Sequence, residues 1–172
     1  GKDAAILGQQ AVDRLTVQAQ GGTGVVLAEV YDAETEPGRP VLRNVASRGK
    51  TAPGDDVLTA GFVIGGRAAL PVLIRGVGPR LLEWIGAGVL MDPRIRLFDQ
   101  TGTLLWENND WGQAANATEV EATAARVGAF PYQAGSRDAA LLLTLAPGVY
   151  SVQISGADGG SGIALIEVYA AN

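Results

Sequence analysis

Oxygen-bearing and aromatic side chains meet in one short stretch of the sequence. Asn108, Asn109 and Asp110 follow one another there, between Trp106 and Trp111. Carboxylate and amide oxygens on a loop are ligands that Ca²⁺ prefers, and two exposed tryptophans can form a flat platform for a sugar ring. The same residues are also typical of a hydrogen-bonded turn beside core aromatics. The stretch therefore predicts a calcium site, a sugar-binding platform or a packed turn.

Little else in the sequence could perform catalysis. Histidine and cysteine are absent, which removes the commonest general base, the commonest metal ligand and thiolate chemistry. Asp55 and Asp56 are adjacent, so their side chains point apart and form no acid–base pair. Ser47-Arg-Gly-Lys50 fits a Ser-x-x-Lys motif but lacks its partner motifs. We expect no enzymatic activity, no catalytic residue, no tightly bound transition metal and, calcium aside, no cofactor.

The charge and the hydropathy of the chain exclude two classes of partner. The net charge is −5, whereas general nucleic-acid binding needs a basic surface. No apolar run reaches the roughly 20 residues of a membrane-spanning helix. With 47% hydrophobic residues the chain is a folded protein, and the absence of cysteine is compatible with a secreted one.

Short apolar segments separated by Gly, Pro and Asp indicate a mostly-β fold, a β-sandwich of jelly-roll type. Eight such segments are predicted as strands, at 41–47, 57–65, 71–76, 94–99, 103–107, 138–145, 149–155 and 162–169. Two tight turns, Asp99-Gln-Thr-Gly102 and Pro147-Gly148, each predict a hairpin between the strands that flank them. Short helices are expected at 79–85 and 117–127, the second capped by Asn116 and ended by Gly128.

The alternation of side chains along these strands predicts which of them enter the core. The inward-facing sets include Leu97, Leu105, Leu141, Leu143, Val152, Ile154, Leu165 and Val168. Glu29 and Glu167 interrupt apolar runs at positions that period 2 places on the other face, so they are expected to face outward.

The beginning of the chain repeats its end. Gly22-Thr-Gly-Val-Val-Leu-Ala-Glu-Val-Tyr31 corresponds to Gly160-Ser-Gly-Ile-Ala-Leu-Ile-Glu-Val-Tyr169, and Leu15-Thr-Val-Gln-Ala-Gln-Gly21 corresponds to Tyr150-Ser-Val-Gln-Ile-Ser-Gly156. The repeat includes the tail strands of a module and none of its front. We therefore predict a partial repeat at 1–34, the tail of a preceding module, then a polar linker at 35–40 and a complete module at 41–172.

Copied strands of this kind are expected to pair with a sheet, because an isolated hairpin is only marginally stable and an open apolar edge tends to pair with another strand. The apolar positions expected to serve as assembly strands are Leu15, Val17, Val25, Leu27, Val30 and Tyr31. They could extend their own module or add to a neighbouring chain. We favour other copies of the chain as the partner, in an oligomer or filament.

Three segments together resemble the pre-peptidase C-terminal domains of bacteria, β-sandwich modules appended to secreted proteins. The segments are 95–110, 138–156 and 162–168, which share the order strand, Asp-x-x-Gly turn, strand, Asn/Asp-rich loop and Pro-Gly-x-Tyr hairpin. The motifs Asn-Val-Ala-Ser-Arg-Gly at 44–49 and Gly-Ser-Arg-Asp-Ala-Ala at 135–140 are similar to a repeat module of large surface or secreted proteins.

The resemblance implies no enzymatic activity and supplies no catalytic residue. It implies a structural or adhesive module, located outside the cell or on its surface. The alternative is a carbohydrate-binding module with polysaccharide as its partner, which exposed and coplanar Trp106 and Trp111 would favour.

Overall fold

Two stacked four-stranded sheets form the part of the chain with described secondary structure. The computed structural model describes residues 4–5, 16–18, 27–30 and 42–172. Its strands are β1 (Asn44–Thr51), β2 (Leu58–Ile64), β3 (Leu70–Val77), β4 (Pro93–Asp99), β5 (Leu104–Asn108), β6 (Ala139–Leu145), β7 (Gly148–Gly156) and β8 (Gly162–Ala170). Sheet A has the strand order β1-β8-β3-β6, and sheet B has the order β2-β7-β4-β5.

The strand pairing identifies the fold as a jelly roll. β1 pairs with β8, β2 with β7, β3 with β6 and β4 with β5, all antiparallel, as if one long hairpin had been rolled up. Further pairings of β3 with β8 and of β4 with β7 complete the two sheets. The predicted fold class is therefore confirmed, and each predicted strand is found, the first of them at Asn44–Thr51 in place of 41–47.

The main core lies between the two sheets, where alternate residues of the strands meet. Leu97, Val152, Ile154 and Val168 are buried there as predicted, and the half-buried Leu105, Leu141 and Leu143 pack against them. Leu165 was placed wrongly. Ala164 and Ile166 take the inward positions of β8, while Leu165 packs with Val77, Leu81 and Val89 on the opposite face of sheet A.

One glycine is required where the two sheets approach each other most closely. A Cβ atom added to Gly76 in β3 would lie 2.2 Å from Cγ2 of Ile95 in β4. No side chain fits in that space without displacing the packed core. Gly76 therefore allows sheet A to contact the centre of sheet B.

The two predicted hairpins have different outcomes. The turn from Asp99 to Gly102 joins β4 to β5 as expected, with Gly102 at a φ of 81°. The prediction for Pro147-Gly148 is wrong, because β6 belongs to sheet A and β7 to sheet B. The turn carries the chain from one sheet to the other, and the two strands that flank it pair with different partners.

Short helices cover the outer face of sheet A. A 3₁₀ turn at Pro79–Leu81 continues into α1 (Leu82–Ile85), and α2 (Ala117–Arg126) packs on β3 and β6. Gly128 follows α2 with a φ of 75°, as predicted. Asn116 does not cap α2 through its side chain. Its Nδ2 instead donates a hydrogen bond to the carbonyl of Leu142.

The chain divides into two compact units, Gly1–Leu42 and Arg43–Asn172. The jelly roll lies in the second unit. Among the helices that the structure describes, none is long and apolar enough to cross a membrane.

Candidate functional site

Three of the predicted assembly residues are described, and all three are exposed. Val17 is 66%, Leu27 78% and Val30 53% exposed. Leu15, Val25 and Tyr31 lie outside the described residues. Their role in assembly stays a prediction.

The same residue types are buried where the module repeats them. Val152 in β7, the counterpart of Val17, is 0% exposed, and Val168 in β8, the counterpart of Val30, is 9% exposed. An apolar side chain of this size gains about 1.5–3 kcal/mol from full burial. Val17 and Val30 thus expose apolar side chains whose counterparts in the module are buried.

Within the described strands, two sheet edges lie on one side of the jelly roll. β1 is an edge of sheet A, β2 is an edge of sheet B, and the two strands contact each other. β2 contains neither a charged residue nor a proline, and Val63 on it is exposed. β1 carries Arg48 and Lys50 at exposed positions. Since charges and prolines are what usually protect an edge, β2 is the less protected of the two.

On the opposite side, the edge of sheet A at β6 is blocked. On β6, the N–H of Ala140 donates to Oδ1 of Asn108 at 3.0 Å, and the carbonyl of Leu142 accepts from Asn116 at 3.3 Å. Backbone groups that would pair with another strand are therefore occupied by side chains. On β5, a register shift opposite Leu97 and Phe98 disturbs the ladder.

Trp106 and Trp111 do not form a common platform. Trp111 is buried and stacks on Tyr132, with ring centroids 4.5 Å apart and an interplanar angle of 16°. Its Nε1 donates a hydrogen bond to Ser136. Trp106 lies on the edge strand β5 and is 45% exposed. Trp111 therefore offers no free face to a sugar, and sugar binding by Trp106 stays a prediction.

The stretch Asn108-Asn109-Asp110 forms a hydrogen-bonded connection after β5. Oδ1 of Asn108 accepts from Ala140, its Nδ2 donates to the carbonyl of Asp110, and Oδ2 of Asp110 accepts from Gln113 at 3.2 Å. Within the described ranges, no three His, Cys, Asp or Glu side chains lie close enough to hold a metal ion. Calcium at Asn108, Asn109 and Asp110 stays a prediction. Two of the oxygen atoms that would bind the ion already accept hydrogen bonds within the protein.

A buried arginine is the main feature that the sequence did not predict. Arg75 on β3 is 0% exposed, and its guanidinium carbon lies 4.1 Å from the ring centroid of Phe130 and 4.3 Å from that of Tyr132. Trp111 continues this arrangement by stacking on Tyr132. We call these four side chains the arginine stack. Cation–π contacts of this kind stabilise a desolvated guanidinium by roughly 2 kcal/mol.

The counter-charge of Arg75 is Glu167, in register beside it on β8. Nη1 of Arg75 lies 3.1 Å from Oε2 of Glu167, and the hydroxyl of Tyr169 donates to Oε1 at 2.8 Å. Burial raises the pKa of Glu167 above its ordinary value, against the opposing effects of Arg75 and of the Tyr169 hydrogen bond. Burial likewise raises the pKa of Tyr132 and of Tyr169, although the charge of Arg75 opposes it.

Asp138 connects the arginine stack to the loops around it through hydrogen bonds. This fully buried carboxylate accepts hydrogen bonds from the N–H of Gly78 at 2.9 Å and from the hydroxyl of Ser136 at 2.8 Å. Ser136 in turn accepts from Trp111. The result is a polar and aromatic layer that joins the loops to sheet A.

Glu167 lies on the outer face of sheet A, as period 2 predicts, but it is buried because loop aromatics and α2 cover that face. The signal in the sequence was an arginine inside the apolar run of β3, which needs a partner on a neighbouring strand. Because the ion pair is sealed from solvent, we assign it to stability rather than to ligand binding.

Comparisons with known proteins give little beyond the fold. No protein-family model matches the chain, and no curated protein matches it. Among solved structures, the chain is similar to the crystal structure of the pre-peptidase C-terminal domain of collagenase from Bacillus anthracis, at 15% sequence identity and a TM-score of 0.40, over 73% of this chain and 89% of that chain. The assignment as a jelly roll rests on the strand pairings.

Proposed function

We propose that this chain is a non-enzymatic extracellular structural module that associates with other copies of itself by strand addition. Residues 1–34 of one chain supply copies of β7 and β8, and the open edges β2 and β1 of another chain receive them. A head-to-tail contact of this kind does not close on itself, so it builds oligomers or a filament.

The exposure of Val17 and Val30 carries this proposal. At 66% and 53% exposed, they contrast with Val152 and Val168, which occupy the equivalent places in the module and are 0% and 9% exposed. Strand addition would bury the copied side chains and would also pair their backbone groups.

The strands that would receive the copies are the neighbours of the originals. Within the module β7 pairs with the inner edge of β2, and β8 with the inner edge of β1; the added copies would pair with the outer edges of the same two strands. Residues 15–21 repeat the sequence of β7 and residues 22–31 that of β8. Because β1 and β2 lie on the same side of the sandwich, one tail can extend both sheets together.

The location and the absence of catalysis rest on the sequence. The resemblance to modules of secreted and surface proteins supports an extracellular location. The chain contains no histidine and no cysteine, which supports a structural role over an enzymatic one.

Sedimentation velocity of the full chain over a range of concentrations tests the proposal. We expect reversible association that the double substitution Val17→Lys and Val30→Lys weakens at least tenfold, since about 1.4 kcal/mol corresponds to a factor of ten. The control is the double substitution Leu82→Lys and Met91→Lys, which adds the same two charges at exposed apolar positions of the module. A full chain that remains monomeric at high concentration contradicts the proposal.

A second pair of variants tests the receiving edge. Val63 and Val149 are directly opposite each other on β2 and β7, and both are exposed. Only β2 is an edge strand, so Val63→Lys should weaken association more than Val149→Lys. Equal effects would indicate that the outer face of sheet B, rather than the edge, forms the contact.

The exposed Trp106 keeps carbohydrate binding as a second candidate function. If Trp106 stacks on a sugar, Trp106→Ala should abolish retention on a polysaccharide column without lowering the melting temperature. Trp84→Ala is the matched control, because Trp84 is also exposed but lies in α1. Retention that survives Trp106→Ala contradicts this candidate.

A further inference from the structure

The outer face of sheet B carries two arginines for which the described part of the chain provides no ion pair. Arg94 and Arg96 alternate along β4 with the buried Ile95 and Leu97, so both point away from the core. α2 packs on β3 and β6 of sheet A, whereas Arg94 and Arg96 remain partly accessible on sheet B.

Polar atoms at this place lack hydrogen bonds. Nε of Arg94, Nε of Arg96 and Oγ of Ser155 are shielded from solvent and have no hydrogen-bond partner within the described ranges. Ser155 lies directly opposite Arg94 on β7. Leaving a buried polar group unpaired is unfavourable, and more so when the group is charged. Arg94, Arg96 and Ser155 thus bring three unpaired polar atoms to the same face of sheet B.

No carboxylate among the described residues forms an ion pair with these arginines. Glu107 on β5 is directly opposite Arg96, yet no ion pair joins them, and the three salt bridges seen in the described part of the chain involve other arginines. The nearby Asp158 accepts from the N–H of Gly160. The guanidinium groups of Arg94 and Arg96 are thus available for an external anion.

The arginines and Ser155 line an open cleft of about 220 Å³. Its other walls are the turn at 52–54 and the residues Gly156, Ala157 and Gly159, so no acidic side chain lines it. The volume is that of a monosaccharide-sized group. Farther along the same face of β4, Phe98 is half-buried, 5.9 Å from the guanidinium carbon of Arg96.

We propose that this cleft binds the carboxylate of an acidic saccharide, a uronic acid unit of a polysaccharide. Two arginine side chains match the planar geometry of a carboxylate. Ser155 can hydrogen-bond a sugar hydroxyl, and Phe98 offers an aromatic surface to a ring farther along the chain. The cleft offers one pair of arginines and no extended basic surface, so it fits the carboxylate of a single sugar unit better than the continuous phosphate chain of a nucleic acid.

Calorimetric titration of the full chain with an oligogalacturonate tests this site. Its methyl ester is the neutral control ligand. Arg94→Gln and Arg96→Gln should each weaken binding at least tenfold, because a hydrogen bond to a charged group is worth about 1.5–3 kcal/mol. Arg67→Gln removes the same charge from an exposed loop and should leave the affinity unchanged.

Each other outcome overturns the proposal. Equal affinity for the methyl ester would exclude recognition of the carboxylate, and equal loss with Arg67→Gln would reduce it to nonspecific charge. Inorganic phosphate that binds as tightly as the oligogalacturonate would make the cleft a simple anion site. Tighter binding of single-stranded DNA would identify a nucleic-acid surface, and no heat with any ligand at millimolar concentration would refute the site. Melting temperatures establish that the variants are folded.

Discussion

The buried ion pair allows a quantitative prediction, because it can be broken from either side. Glu167→Leu leaves the guanidinium of Arg75 fully buried without a counter-charge. Removing one member of a buried pair typically costs 3–5 kcal/mol, so we expect a loss of about that size in the free energy of unfolding. Arg75→Met should cost a similar amount at neutral pH, because it leaves the carboxylate of Glu167 buried.

The double variant separates a coupled pair from two independent contacts. With Arg75→Met and Glu167→Leu together, neither charge remains buried, so the total cost should be smaller than that of either single change. Urea unfolding followed by tryptophan fluorescence measures each free energy. Glu83→Leu is the control, since the Glu83 side chain is 46% exposed, although that of Arg80 is only 12% exposed. We expect a smaller loss there, nearer the roughly 0–1 kcal/mol of exposed ion pairs.

The two single variants should also differ in their pH dependence. Burial raises the pKa of Glu167 above its ordinary 4.5, so the folded state holds this proton more tightly than the unfolded state does. The contribution of Glu167 to stability therefore falls as the pH rises from 4.5 through the folded pKa. Without Arg75 the pKa should rise further, so acidification should reduce the deficit of Arg75→Met. The deficit of Glu167→Leu should not respond in this way.

The result that refutes this reasoning is a loss below about 1 kcal/mol for Glu167→Leu, comparable with that for Glu83→Leu. Strict additivity of the two single changes in the double variant would refute it as well.

Three further predictions concern other parts of the module. Burial raises the pKa of Tyr132 and of Tyr169 above the ordinary 10, so stability should fall as the pH rises beyond 10, and their phenolate absorbance should appear only as the protein unfolds. Asn108→Ala should lower the free energy of unfolding by about 1–3 kcal/mol with or without calcium, because it leaves the N–H of Ala140 unpaired. Thermal melts with and without chelator test this. A loss of stability seen only in the presence of calcium would instead establish a metal site. Gly76→Ala should lower the melting temperature more than Gly61→Ala, since a Cβ at Gly76 would overlap Ile95 while one at Gly61 has space.

The strands were predictable because their signals are local. Alternation of apolar and polar residues and the turn residues between them determine where a strand begins and ends. The connection at Pro147-Gly148 shows the limit. The same turn residues serve a hairpin and a crossover between sheets, and only the pairing of β6 with β3 and of β7 with β2 and β4 distinguishes the two.

The arginine stack could not be predicted from the strands alone, because it depends on the loops that cover the outer face of sheet A. A charged residue on the outer face of a strand normally contacts water, so the outward direction predicted for Glu167 gives no sign of its burial. Burial follows because Phe130 and Tyr132, distant in sequence, fold over sheet A and enclose Arg75. Their placement depends on the loops after α2 and not on any periodicity within the strands. Trp111 was similarly ambiguous, since its sequence context suits a rim and a core equally.

The repeat, in contrast, could be recognised in the sequence, but the exposure of its apolar side chains could not. Identical residues at matching positions establish that residues 15–31 copy β7 and β8. Only the structure reveals that Val17 and Val30 are exposed while Val152 and Val168 are buried. It also places β1 and β2, the partners of β8 and β7, together at an open side of the sandwich.

Hydrogen exchange measured at increasing protein concentration tests strand addition most directly. If a tail strand adds to β2, the amides of Leu58–Ile64 that point away from β7 should become protected as the protein associates. β6 should show no gain, because Asn108 and Asn116 already occupy its edge. Protection of β2 that rises with concentration, and that Val17→Lys with Val30→Lys removes, is the predicted result. Exchange in β2 that does not change while the protein associates would contradict the account.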